Sequence, residues 1–306
     1  MGEMILSTES LTKTYGKHKA VNAVSMHVER GSVYGFIGKN GAGKTTFMKM
    51  VTGLANPTSG SITLFGCTGS ELGNVRSRLG CLIEAPGIYP KLTAFENLQL
   101  KCLAFHKYSK EYVMELLRLV GLDNTGKKKS GKFSLGMRQR LGIALALVGD
   151  PEMMVLDEPI NGLDPQGIVE VRDTIHRLSS ERGITILISS HILDELSKIA
   201  THYGIINDGQ LIRELSSEEL INECSGRLEI TVKGASGRAA EILGRMGGLE
   251  FSVRDEDSLV VTGSVERSAE INTALVTSGL AVSELAIRAA ALEDYYLSLT
   301  GGAHNA

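Results

Sequence analysis

Val33-Tyr34-Gly35-Phe36-Ile37, running on into Gly38-Lys39-Asn40-Gly41-Ala42-Gly43-Lys44-Thr45-Thr46, is the stretch on which the fold of this chain turns. Five residues of mostly apolar strand character enter a glycine-rich turn, and a helical pattern opens at Lys44 and continues to Gly53. The turn fits G-x-x-x-x-G-K-[ST], with the strand before it and the helix after it that the pattern needs in order to hold phosphate. Glycine freedom lets backbone N–H groups wrap phosphate oxygens, and the helix N-terminus adds a favourable dipole. The expected phosphate contacts are Gly38, Asn40, Gly41, Ala42, Gly43, Lys44, Thr45 and Thr46. Lys44 is placed on the β and γ phosphates, and the Thr45 hydroxyl on Mg²⁺.

A second pattern completes the first. Met153-Met154-Val155-Leu156 ends in Asp157-Glu158, which sets two carboxylates at the C-terminal edge of a buried strand, beside the phosphate loop. Asp157 suits the Mg²⁺ shell and Glu158 the polarisation of an attacking water. Ile184 to Ile188 is a third strand. The helical patterns Lys110 to Val120, Leu135 to Gly149 and Pro165 to Arg182 alternate with the strands, which predicts an α/β fold with a mainly parallel sheet and helices on both faces.

The pattern changes near residue 215. Ile205-Ile206, Asn207-Asp208-Gly209 and Gln210-Leu211-Ile212 read as a hairpin closing a first domain, 1–215. Ser216 and Glu219 are placed to cap a short helix leading away. In 216–306 the expected strands are 228–233, 249–254, 259–262 and 281–287. Helices are expected at 237–246 and 266–278, with a last one at 289–300. The order βαββαβ predicts a small ferredoxin-like α+β domain.

Composition narrows the function classes. The chain has 306 residues, 42% apolar and 22% charged, with a net charge of -3. This balance gives no support for a nucleic-acid partner, which favours a basic surface. The run Lys127-Lys128-Lys129 with Lys132 reads as a solvated loop, the alternative being contact with an anionic partner such as lipid head groups beside the membrane. No stretch approaches the ~18 apolar residues that span a bilayer, and no signal pattern opens the chain, so a location inside the cell is expected. The four cysteines, at 67, 81, 102 and 224, show no metal-ligand spacing and read as buried thiols in a reducing compartment.

Phosphate loop and acidic strand end fit many ATPases and GTPases, although a guanine-specific NKxD is absent. Phe133-Ser134-Leu135-Gly136-Met137-Arg138-Gln139-Arg140 resembles the signature of the ABC ATPases, whose usual form is Leu-Ser-Gly-Gly-Gln. That family implies ATP and Mg²⁺, an added antiparallel β region and a helical signature subdomain. It also implies a head-to-tail dimer in which Ser134 and Gly136 contact the γ-phosphate held by the second copy. Leu135 and Met137 depart from the usual form. By the same resemblance Tyr15 stacks on adenine, and Asn161-Gly162-Leu163-Asp164 is the loop linking the two nucleotide sites, with Asp164 at the nucleotide. His191 is the switch histidine on the γ-phosphate.

Where most of the family carry Gln, this chain has Glu84, in Leu82-Ile83-Glu84-Ala85-Pro86-Gly87-Ile88-Tyr89-Pro90. A Glu there is similar to the exporters of bacitracin and lantibiotics, and implies a carboxylate that ligates Mg²⁺ or holds the water. Residues 86–90 are expected to face a polytopic membrane permease, which keeps the chain peripheral on the inner face of the membrane. The ending Ala291-Leu292-Glu293-Asp294-Tyr295-Tyr296-Leu297-Ser298-Leu299-Thr300-Gly301 resembles the last helix of the same exporters. Three other readings are weighed. A soluble ABC ATPase of ribosomes or DNA would bring a second ATPase domain or a basic coiled-coil insertion. An importer subunit would commonly keep the Gln. A non-catalytic regulatory subunit would lack Glu158 or His191.

Overall fold

Apolar runs that show no alternation become strands buried on both faces. In the computed structural model, which describes residues 2–224, 227–262, 264–288, 295–296 and 299–300, the run 33–37 is such a strand and every one of its residues is buried. The runs 153–156 and 185–190 behave in the same way. The chain divides into two compact units, Met1–Ser216 and Ser217–Ala306.

In the first unit the strands are β1 (Met4–Tyr15), β2 (His18–Val24), β3 (His27–Glu29), β4 (Val33–Ile37), β5 (Ser59–Leu64), β6 (Cys67–Thr68), β7 (Leu79–Leu82), β8 (Met153–Leu156), β9 (Thr185–Ser190), β10 (His202–Asn207) and β11 (Gln210–Ser216). Six of them form a sheet in the order β11-β10-β4-β9-β8-β7, parallel from β10 to β7. Only β11 runs antiparallel, returning from β10 through the turn Asp208-Gly209. Both turn residues have positive φ, 46° and 79°, the geometry of a tight hairpin turn. A second, antiparallel sheet runs β2-β1-β5-β6, with β3 also on β1. Between the sheets lies a core of Leu6, Val24, Phe36, Phe47, Met48, Val51 and Leu64, each fully buried. Phe36 and Phe47 tilt against each other at 5.1 Å.

Helices at Lys44–Val51, Lys110–Leu119, Leu135–Leu147 and Pro165–Arg182 match the expected patterns. A further helix, Ala94–Ala104, was not singled out, though its signal is in the sequence: Thr93 and Glu96 form a reciprocal capping box. Lys127, Lys128 and Lys129 are exposed, as a solvated run should be. Cys81 corrects one expectation. It is exposed rather than buried, and Cys67 is only half-buried: β7 is the sheet's edge strand, and its residues alternate, with Gly80 and Leu82 buried and Cys81 exposed.

The second unit contains β12 (Arg227–Thr231), β13 (Glu250–Val253), β14 (Ser258–Thr262) and β15 (Glu284–Arg288), with helices Ser217–Cys224, Ser236–Met246 and Ser268–Thr277. The sheet order is β13-β14-β12-β15 and every pairing is antiparallel, which is the ferredoxin-like arrangement. Its core is set by two periodicities: Leu228 and Ile230 two apart on a strand, and Ala239/Leu243 and Ile271/Leu275 four apart on helices, all fully buried. Most of the expected last helix, 289–300, lies outside the described residues. Among the described residues no helix is long and apolar enough to cross a membrane.

Candidate functional site

The three central parallel strands, β4, β9 and β8, all end at the same edge of the sheet, and the chemistry-bearing residues follow those ends. After β4 the loop needs glycine for two separate reasons. Gly41 and Gly43 take φ of 85° and 108°, and a Cβ at Gly43 would collide with the Ala20 carbonyl. At Gly38, whose φ is ordinary, a Cβ would stand 2.6 Å from the Ile206 carbonyl oxygen. At Gly38 and Gly43 the loop is therefore threaded between β2 and β10 with no room for a side chain.

Lys44 opens the helix but turns back into the loop. Its side chain is 5% exposed, and its Nζ donates to the Gly38 carbonyl at 2.5 Å and the Lys39 carbonyl at 3.2 Å. Glu158 Oε1 lies 3.2 Å away as counter-charge. That oxygen is shielded from solvent and accepts no hydrogen bond. The other carboxylate oxygen, Oε2, is 2.7 Å from His191 Nδ1. Glu158 has φ 48°, a conformation that costs a non-glycine residue of order 1–3 kcal/mol and clusters at functional sites.

Asp157 is buried and held from two sides. Thr45 Oγ1 donates to its Oδ2 at 2.8 Å, and Ser189 Oγ to its Oδ1 at 2.7 Å. Ser189 also accepts from the Glu158 N–H at 2.9 Å. Sequence reasoning missed Ser189, which fixes both acids at once. Its signal was a pair of hydroxyls, Ser189-Ser190, ending an otherwise apolar strand. Also missed were His18 and Ala20. They line one side of an open cleft of about 240 Å³ with Asn40, Gly41, Gly43, Lys44, Thr45, Thr46 and Glu158.

The donor set suits Mg²⁺. Thr45 and Asp157 offer oxygen ligands only, as a hard cation requires. Among the described residues no group of three or more His, Cys, Asp or Glu could hold a metal alone. Mg²⁺ fits such a site because it is usually held by one or two protein oxygens together with substrate phosphates.

Other expected residues lie outside this cleft. Tyr15 ends β1, is 52% exposed and has Lys13 Nζ 5.0 Å from its ring centre. Ser134 is an exposed N-cap, accepting from the Met137 N–H at 3.2 Å. Gly136 is buried beneath it. Asp164 caps the helix Pro165–Arg182, accepting from the Gly167 N–H at 3.0 Å. Glu84, at φ 64°, is 65% exposed and sits 2.5 Å from Lys49 Nζ, and it is not among the residues lining the cleft.

Comparison with known proteins agrees with this geometry. Residues 21–161 match the family model described as ABC transporter. The chain is 40% identical over 97% of its length, and 98% of the relative's, to the bacitracin transport ATP-binding protein BcrA of Bacillus licheniformis. It is 45% identical to the lantibiotic transport ATP-binding protein SrtF of Streptococcus pyogenes, over 69% of this chain and 90% of that one. Among solved structures, the ADP conformation of MJ1267, an ATP-binding cassette of an ABC transporter, superposes with a TM-score of 0.65 at 28% identity, covering 72% of this chain and 94% of that one. Lys44, Asp157, Glu158 and His191 gather at one sheet edge, and the chain belongs to the ATP-binding proteins of the ABC transporter family, which hydrolyse ATP.

Proposed function

We propose that this chain is the ATP-hydrolysing subunit of an exporter for a peptide antibiotic or a similar amphiphilic compound. In this reading two copies close on two ATP molecules and drive a separate membrane permease. The observation that carries it is the convergence of Lys44, Glu158 and His191 within ion-pair or hydrogen-bond distance, beside the Thr45–Asp157 pair. Lys44 binds the β and γ phosphates. Glu158 accepts a proton from water as its oxygen attacks the γ-phosphorus, the bond from that phosphorus to the β–γ bridging oxygen breaks, and ADP and phosphate result. His191 holds Glu158 in place through Oε2, which leaves Oε1, paired in charge with Lys44 but accepting no hydrogen bond, for the water. Thr45 and Asp157 hold Mg²⁺, which when bound neutralises charge on the phosphates. Glu84 joins that metal or the water in the closed state, and Tyr15 stacks on the adenine.

The dimer supplies what the cleft lacks. Ser134 and Gly136 lie outside its lining, and nothing in this chain's own packing demands glycine at 136. A Cβ there would meet only ordinary contacts, Gly167 Cα at 3.5 Å being the nearest. A glycine without a local reason supports a close approach by the nucleotide of a second copy, and Asp164 lies on the same seam. The named relatives act in bacitracin and lantibiotic transport. Together with Glu84 they support the cargo class, and a location on the inner face of the membrane beside the permease.

Purified Glu158→Gln should hydrolyse ATP at least about 100-fold more slowly and accumulate as an ATP-bound dimer on size exclusion. Wild-type turnover would remove Glu158 from the role. Gentle membrane extraction of the tagged chain should bring down a polytopic membrane protein in stoichiometric amount. Recovery of ribosomes or DNA instead would overturn the transporter reading and leave the ATPase standing.

A further inference from the structure

Glu84 follows the end of β7 by two residues, at the sheet edge where β8 ends in Asp157, and what holds its carboxylate belongs to no expected site. Its Oε1 is 2.5 Å from Nζ of Lys49, whose side chain is 30% exposed. Lys49 lies on the helix Lys44–Val51. Thr45 is four residues earlier on that helix, so the two side chains share a face about 6 Å apart. Thr45 hydrogen-bonds Asp157 at 2.8 Å. One carboxylate therefore lies within a helical turn of two places that attract negative charge. Lys49 carries an ammonium group, and Thr45 with Asp157 is the divalent-metal end of the helix on the reading above, on which this inference rests.

We propose that Lys49 is a positioning residue that competes with the metal for Glu84. It holds the carboxylate one turn away from the metal end, and the metal–nucleotide complex must draw it off Lys49 to bring it into the site. The competition depends on the carboxylate. A glutamine amide at position 84 carries no charge, forms no ion pair with Lys49 and moves without that opposing attraction. Exposed ion pairs of this kind shift an equilibrium by about two- to fivefold, which sets the size of the effect.

The test uses the full chain with a non-hydrolysable ATP analogue, which supports the closed state, and Mn²⁺ in place of Mg²⁺, following bound metal by electron paramagnetic resonance without turnover. Lys49→Met should tighten Mn²⁺ binding by about two- to fivefold, and Lys49→Arg should keep the wild-type affinity. Lys49→Gln repeats the test with a polar side chain should the Met variant fold poorly. In a Glu84→Gln background the Lys49→Met substitution should change nothing. An equal gain in that background would mean that Lys49 merely repels the metal, and no gain in either background would mean that Lys49 does not hold Glu84 against it. Both results overturn the proposal. Asp157→Asn separates this from the parent reading: if it leaves Mn²⁺ binding unchanged, the metal assignment itself fails. If it weakens binding while Lys49→Met does nothing, only the competition fails.

Discussion

Two clusters of charge sit at opposite ends of the same parallel strands, and they are built on opposite principles. Before β4, β7 and β8 stand Arg30, Arg78 and Glu152. Arg30 reaches Glu152 at 2.9 Å and Glu3 at 2.7 Å, and Arg78 reaches Glu152 at 2.5 Å. These side chains are 35% to 66% exposed. After β4, β8 and β9 stand Lys44, Asp157, Glu158 and His191, where Lys44 is 5% and Glu158 18% exposed. The exposed cluster saturates its charges with each other and is screened by water. The other leaves a shielded oxygen of Glu158 without a hydrogen bond and keeps a non-glycine residue at positive φ. Charge paired in solvent steadies the fold by little. Charge paired in a shielded cleft, with spare capacity, is held ready for a reaction.

The largest expected contrast is between two glutamates. Glu158→Gln should lower the rate of ATP hydrolysis by about 10²- to 10⁴-fold, while Glu152→Gln at the other end should leave it unchanged. Steady-state phosphate release from both purified variants decides this. Equal losses would mean that the two clusters do not differ in function.

Next come the glycines at the two ends. Gly43 has φ 108° with the Ala20 carbonyl in the way, so Gly43→Ala should cost about 1–3 kcal/mol in strain alone and abolish nucleotide binding. Gly183 has φ 64° with nothing within 4 Å of its Cβ position, and closes the helix Pro165–Arg182. Gly183→Ala should cost only about 1 kcal/mol and spare ATP binding. Urea titrations with and without ATP read both quantities.

Ser134→Ala sharpens the comparison from a third place. Loss of the cap on Met137 should cost about 1 kcal/mol. A full loss of ATP-dependent dimerisation beyond that would exceed what a cap explains. Unchanged dimerisation would restrict Ser134 to its structural role.

The smallest effect belongs to the exposed cluster in acid. Hydrogen bonding from Arg78, then from Arg30, brings the Glu152 carboxyl down to about 2 from its ordinary 4.5. A lowered carboxyl stabilises the fold fully above pH 4.5 and loses that contribution as the pH falls toward 2. Because Glu152 is 41% exposed, solvent screening keeps the contribution within about 1 kcal/mol. Thermal melts from pH 5 to 2.5 should fall slightly less steeply for Glu152→Gln than for the wild type. A steeper fall would contradict the sign.

How much of this was legible depended on whether a feature is local. The C-terminal ferredoxin-like order was read from apolar spacing alone, because its strands and helices are short, regular and joined in sequence. The antiparallel sheet of β1, β2 and β5 was expected only through family resemblance. Its residues alternate weakly, and its pairing joins segments as distant as Leu6 and Leu64.

The phosphate loop and the buried strands could be read from residue order, since each is decided by neighbours within one turn or one strand. Ser189 holding Asp157 and Glu158, His18 and Ala20 lining the cleft, Glu84 on Lys49 and the exposure of Cys81 were decided only by tertiary structure. Each depends on which strands lie side by side. β9 enters between β4 and β8 although β8 comes first in the chain, and β7 is left at the edge. Hydrophobic patterning specifies that a strand is buried, but the neighbour it is buried against is settled by packing of the whole sheet.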